Sequence, residues 1–393
     1  MKAIVTDARY RMSLAVVRSL GRAGVPVLCQ EERGISSLDA LGFHSRYTTD
    51  TALTASPRHD PDAFIHDILA LGDEGDVLLP MSLAAILATA GRIDEVRRRY
   101  RIALAPLASI LIANDTQRLL EVAARVGVPT PQTVVLPPSA DPAQLLERFQ
   151  FPVVIKYREG EGLALPPEQR YAIVREPSRF LQVYGAMAAR QASPLVQEYI
   201  SGEGWGMAAI FDANSEPRAL FGHRRVREYP VTGGPSAFAE SVRDERMFEY
   251  GLRLLKELRW QGVAMVEFKR EYETGEFKLM EINPRFWGSL PLAMHAGADF
   301  PHLLYRVAQG EDFPLADNYR VGARMRFLFQ DLLAARGYLR RVPDKGRFLA
   351  GFLRDLLDPR VADGVFSLED PKPSLLYAVR AFGKAGKKMG GDA

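Results

Sequence analysis

The segment Gly262–Arg285, GVAMVEFKREYETGEFKLMEINPR, contains two β-rich runs, Val263–Lys269 and Phe277–Asn283, around Glu273-Thr274-Gly275-Glu276. That spacing predicts an antiparallel hairpin. With pairing centred on Thr274, Glu267 faces Glu281, and alternation puts Glu267 and Lys269 on one face with Glu281 and Asn283. Directly opposed residues have Cβ atoms about 5 Å apart. Two carboxylates at that range repel unless a proton, a cation or a basic side chain intervenes. An oxygen-rich set with no His or Cys suits Mg²⁺, which takes one or two carboxylates and fills its shell with water and phosphate oxygens. Asn283 adds a neutral oxygen, and Arg285 offers a guanidinium fork to a phosphate or acyl phosphate. The plainer alternative is a solvent-facing hairpin with salt bridges from Lys269 and Lys278. Phe286 and Trp287, which bury rather than solvate, weigh against it.

Outward from the hairpin, the chain of 393 residues is long enough for two or three domains. Its 47% apolar and 25% charged residues are ordinary globular usage. Lys and Arg total 51 against 48 Asp and Glu, a net charge of +3, too balanced to imply nucleic-acid binding. A single cysteine, Cys29, excludes an internal disulfide, a Cys-based zinc site and an iron–sulfur cluster. Asp7, Arg9 and Arg11 interrupt the first apolar run, so it does not read as a signal peptide. No stretch approaches the ~20 apolar residues that span a bilayer. The expectation is a soluble, cytoplasmic protein. From Arg320 onward there are 15 basic and 8 acidic residues, ending in Lys384, Lys387 and Lys388. That tail reads as a solvated terminus, or as a peripheral contact with an anionic membrane surface or acidic partner.

The first ~105 residues alternate strand and helix, which predicts a parallel sheet with helices on its faces. Lys2–Thr6, Val25–Cys29 and Asp76–Pro80 are strands, and Ser13 is placed to cap a helix running to Ala23. No G-x-G-x-x-G follows the first strand, so a dinucleotide site is not expected. Asn114 or Asp115 caps the next helix, which Gly127 ends.

Lys156 ends the apolar strand Pro152–Ile155, beside a loop holding Gly160 and Gly162. Glycines let backbone amides approach a phosphate, and lysine supplies a point charge. Glu198-Tyr199-Ile200 leaves a strand into Ser201-Gly202-Glu203. Backbone groups there suit the edge of a purine, and Glu203 suits ribose hydroxyls; an ordinary strand exit is the alternative.

Taken in order, Asp115 with Gly127–Pro131, Pro152–Lys156, Gln197–Glu203, Glu267-Phe268 and Glu281–Arg285 resemble the ATP-grasp superfamily. The branch is the one similar to carbamoyl-phosphate synthetase and biotin carboxylase, and the resemblance covers roughly residues 1–310. It implies an α/β and α+β architecture. A Rossmann-like pre-ATP-grasp domain (1–112) precedes a small lobe (113–195) and a large lobe carrying the Mg/ATP site (196–318). A mostly helical, basic extension (319–393) follows. The resemblance also implies ATP and Mg²⁺, or Mn²⁺ in its place. Lys156 would hold the α- and β-phosphates, Glu198, Tyr199 and Ile200 the adenine, and Glu203 the ribose. Glu267, Glu281 and Asn283 would be the metal ligands, and Arg285 would lie beside the transferred phosphate.

The implied reaction activates a carboxylate as an acyl phosphate, which an amine attacks, or less often a thiol. The expected partners are therefore small carboxylate and amine substrates, with a homodimer compatible with such a fold. The chain departs from the family's habit at Asp115-Thr116, where Asp-Lys is usual, with Arg118 nearby. It departs again in the charged loop Tyr157–Leu163. His223, Arg225 and Arg227 alternate along one strand and so are expected on one face, aimed at a γ-phosphate and a substrate carboxylate. Gly233-Gly234 would bring amides to the acyl phosphate. Other readings are a carboxylase or carbamoyl-phosphate-forming enzyme, and an ATP-binding module without turnover acting as a partner or sensor.

Overall fold

The computed structural model describes residues 1–158, 163, 165, 169–231 and 233–389, with side chains through Arg380. The N-terminal layer is a four-stranded parallel sheet built from β1 (Ala3–Val5), β2 (Val27–Glu32), β3 (Thr48–Thr54) and β4 (Val77–Leu79), in the order β3-β2-β1-β4. Ala3, Ile4 and Val5 are fully buried, as expected of a parallel strand covered on both faces. Ser13 does not cap the first helix. That helix runs Arg11–Arg22 and begins after Tyr10, while Ser13 Oγ donates to the carbonyl of Asp7 at 2.8 Å. Asp60 and Ser82 cap the helices Pro61–Leu71 and Leu83–Gly91. Asp115 caps Thr116–Arg125 by accepting from the Arg118 amide at 3.1 Å.

A second four-stranded sheet contains β5 (Thr133–Val135), β6 (Val153–Lys156), β7 (Tyr171–Val174) and β8 (Leu195–Glu198), in the order β5-β8-β6-β7. The expected boundary between residues 195 and 196 therefore cuts a strand. β8 pairs with β5 and β6 along its whole length, so it belongs to the small sheet. Period-2 alternation sends Val153 and Ile155 into a core with Phe149, Phe180 and Met187, and turns Val154 and Lys156 to the opposite face. Residues 159–162 of the expected phosphate loop lie outside the described residues.

The third sheet has seven strands: β9 (Gly202–Phe211), β10 (Pro217–Glu228), β11 (Ser236–Ser241), β12 (Gly262–Glu271), β13 (Phe277–Asn283), β14 (Arg324–Arg326) and β15 (Val361–Asp363). Their order is β13-β12-β9-β10-β11-β14-β15. The C-terminal segment thus supplies two strands of this sheet as well as the helices Leu328–Leu339, Lys345–Leu357 and Pro371–Met389. One continuous core joins the N-terminal layer to this sheet, from Val5 and Leu20 to Phe221, Trp260 and Phe300. The small lobe keeps a separate core. No helix among the described residues is long and apolar enough to cross a membrane.

Candidate active site

The hairpin β12–β13 forms as its spacing predicts, and Glu267 pairs with Glu281. The register then slips by one residue between Glu267 and Phe268, so that Phe268 pairs with Leu279 and Met280 is the extra residue. This bulge lets Leu279 fill the core while Glu281, two positions on, stays on the solvent-facing side. The apolar positions Phe277, Leu279 and Ile282 change parity at that point, which is the signal for it in the sequence.

Across the sheet, Glu281, Glu267, Gly206 and His223 are successive partners on β13, β12, β9 and β10. A Cβ on Gly206 would lie 2.4 Å from His223 Cε1, and one on Gly204 would lie 3.0 Å from Arg225 Cδ. The two glycines leave an open lane across β9, over which β10 side chains reach toward β12. Arg225 uses it: its Nη2 lies 2.5 Å from Glu267 Oε2 and its Nη1 3.6 Å from Glu228 Oε1, and it donates to the Gly234 carbonyl at 3.3 Å. Burial raises the Glu267 carboxyl above the usual range; the Arg225 charge opposes this and the Glu281 charge adds to it. Burial works against the Arg225 charge, but Glu267, Glu228 and Glu281 together more than offset it and hold that guanidinium protonated.

The small lobe turns Lys156 toward this cluster. Burial lowers the Lys156 ammonium, while the Glu281 and Glu267 charges raise it. Its Nζ donates to Gln197 Oε1 at 2.8 Å, and Gln197 Nε2 donates to Thr133 Oγ1 at 2.9 Å. Lys269 ties the hairpin to the expected adenine segment: Nζ donates to the Ile200 carbonyl at 3.1 Å and lies 5.2 Å from the Tyr199 ring centroid. Glu198, at the end of β8, is half-buried.

The donor set fits a small hard dication. Two carboxylates are directly opposed, and the Glu281 charge adds to the rise in the Glu267 pKa, a repulsion that a dication would relieve. Asn283 Nδ2 donates to Glu281 Oε1 at 2.9 Å, a bond that leaves the amide oxygen of Asn283 unused. Among the described residues no three His, Cys, Asp or Glu side chains gather as a metal cluster. Arg285 follows on the loop after β13, beside Leu79 and Pro80 at the C-terminal end of β4.

Three expected site residues differ from the expectation in placement or charge. Arg227 does not share a face with Arg225. A bulge at Val226 turns it to the other side of the sheet, where it pairs with Asp331 at 2.6 Å and Asp355 at 2.8 Å and lies 4.2 Å over the Phe238 ring. His223 is on the cleft side of β10 but 2% exposed, beside Phe221 and Trp287, with ring centroids 6.1 and 6.2 Å away. Burial, with Arg225 adding, pushes its pKa down to about 3, so it is a neutral group and not a cation. Glu203 pairs with Arg270 and, by strict alternation in β9, faces away from Glu267. It accepts from Trp205 Nε1 at 3.3 Å and lies 3.5 Å from Arg224. Gln197, Glu228 and the Gly204/Gly206 lane are the site features that the sequence reading missed. The alternation Gly202-x-Gly204-x-Gly206 was their visible trace.

Residues 194–328 match the family model described as ATP-grasp in the biosynthetic pathway with Ter operon. The carbamoyl phosphate synthase large chain of Methanosphaerula palustris is 23% identical over 245 residues, 58% of this chain and 22% of that one. The chain thus spans about a fifth of the length of that curated relative. Among solved structures, biotin carboxylase from Campylobacter jejuni, in its β-γ-ATP complex, superposes with a TM-score of 0.65 at 16% identity. The match covers 82% of this chain and 74% of the other. The L-amino acid ligase of Bacillus licheniformis superposes with a TM-score of 0.58 at 12% identity, over 78% and 74%. Segment 194–328 thus matches an ATP-grasp family model, and the chain shares its fold with these solved structures.

Proposed function

We propose that the protein is an ATP-dependent ligase that activates a carboxylate as its acyl phosphate and joins it to an amine, releasing ADP and phosphate. The observation that carries this reading is the Arg225–Glu267–Glu281 cluster, with Lys156 of the second sheet close enough for both carboxylate charges to act on it. Glu267, Glu281 and Asn283 would hold Mg²⁺, which neutralises charge on the phosphates. Lys156, oriented by Gln197, would meet the α- and β-phosphates. Glu198, Tyr199 and Ile200 would line the adenine, with Lys269 fixing that segment to the hairpin. Arg285 would meet the transferred phosphate and Arg225 the substrate carboxylate.

A substrate carboxylate oxygen attacks the γ-phosphorus and the bond to ADP breaks. The amine nitrogen then attacks the acyl carbon, phosphate leaves with the acyl oxygen, and the nitrogen loses its proton to solvent. The division into a pre-ATP-grasp domain, two lobes and a C-terminal extension, a cytoplasmic location and a homodimer belong to the same reading.

The test is ADP and phosphate release with Mg²⁺, ATP and pooled amino acids, with Glu281→Ala as control. Amino-acid-dependent ADP release, lost in the variant, is the expected result. AMP and pyrophosphate would overturn the acyl-phosphate route. Release that depends on bicarbonate instead of an amine would select the carboxylase chemistry of the biotin carboxylase neighbour.

A further inference from the structure

The helices Leu328–Leu339 and Lys345–Leu357 form a hairpin, with Tyr338 stacked on Phe348 at 5.7 Å between ring centroids. Its three carboxylates are all engaged. Asp331 and Asp355 turn inward to Arg227, and Asp344 caps the second helix at the Arg347 amide. Apart from Asp344, exposed at the turn between the helices, the outward ionic groups are of one sign: Arg336, Arg340, Arg341, Lys345, Arg347 and Arg354 are all exposed. Between them runs an apolar stripe. Leu349, Leu353 and Leu357 are 44, 45 and 78% exposed, and a spacing of four puts them on one side of the helix. Leu332 and Leu333 add exposed apolar surface on the first helix.

We propose that this hairpin docks the protein on an anionic lipid surface. Leucines in line along a helix, flanked by basic residues, are the pattern of a helix lying in the headgroup boundary. The leucines enter that boundary while the basic groups meet lipid phosphates. A second copy of the chain fits this face poorly, because a two-fold axis would set the same six cations against one another. An acidic protein would answer the charge but has no stated use for the leucine stripe.

The test is flotation of the full chain with phosphatidylcholine vesicles, with and without phosphatidylglycerol. Binding is expected only with the anionic lipid. It should weaken at least about ten-fold in the Leu349→Ser, Leu353→Ser, Leu357→Ser variant. It should weaken about five-fold for each basic residue removed in Arg347→Gln, Arg354→Gln. Unchanged melting and ADP release report an intact fold, and Leu357→Ser alone serves if the triple variant does not fold. No flotation with anionic vesicles, equal flotation without the anionic lipid, or undiminished flotation of the leucine variant each overturns the proposal. So does a dimer in sedimentation that the leucine substitutions dissolve, since that assigns the face to a second copy.

Discussion

Replacing His223 with Phe should remove an acid-labile term from the stability of the large core. The imidazole is 2% exposed, seated over Gly206 beside Phe221 and Trp287, and its pKa is pushed down to about 3. In the unfolded chain it titrates near its ordinary value of about 6.5. The folded value is the lower of the two, so the unfolded state takes up a proton that the folded state refuses. Stability from this group is complete above the unfolded pKa and drains away as pH falls. The slope reaches about 1.4 kcal/mol per pH unit, and between about pH 8 and pH 4.5 the loss comes to about 2.7 kcal/mol. That figure depends only on the folded pKa lying well below 4.5. Urea unfolding followed by tryptophan fluorescence measures it cleanly, because Trp205, Trp260 and Trp287 all sit in the large core and none in the small lobe. The wild type should lose about 2.7 kcal/mol more than His223→Phe over that window. Equal losses in the two proteins would refute the buried neutral imidazole.

Arg227→Met should strand Asp331 and leave Asp355 only Arg324, at 3.5 Å, and cost about 3–5 kcal/mol in the same unfolding assay. Gly206→Ala places a methyl group 2.4 Å from His223 Cε1. It should lower stability by about 1–3 kcal/mol and reduce ADP release, read in parallel by urea unfolding and by turnover. Asp115→Ala removes a helix cap and should lower stability by about 1 kcal/mol, with ADP release unchanged. Lys156→Met should raise the KM for ATP in the ADP-release assay while leaving the fluorescence-detected unfolding midpoint in place, since it changes the small lobe's cleft face and not the large core.

What the sequence made readable was the part governed by local rules. A four-residue turn between two alternating runs sufficed to oppose Glu267 and Glu281, and an unbroken apolar run sufficed to mark the strand that Lys156 ends. Period-2 reasoning failed where a strand gains a residue. At Val226 one inserted residue sent Arg227 to the far side of the sheet, although its alternation with His223 and Arg225 in the sequence is perfect. Glu203 failed by the converse error. β9 is regular from Gly202 on, and the open side belongs to the glycines, not to the acid between them. The burial of His223 depends on Trp287, which comes from a distant stretch of chain, so no local pattern encodes it. β14 and β15 are three-residue strands made by pairing with β11 and with each other, and Arg-Met-Arg carries too little pattern to announce a strand.

The small lobe's private core has a consequence for how such a protein changes over generations. The chain enters the lobe at β5 and leaves at β8, and these ends are hydrogen-bonded neighbours: Thr133 pairs with Gln197, and the Glu198 amide donates to the Gln132 carbonyl at 2.9 Å. A unit with adjacent ends and no apolar residues shared with its surroundings behaves as an insert. Its interior can be repacked, lengthened or exchanged while Trp260 and Phe300 keep their neighbours. The surroundings of Lys156 could then change over generations while the Glu267–Glu281 pair on β12 and β13 stays fixed.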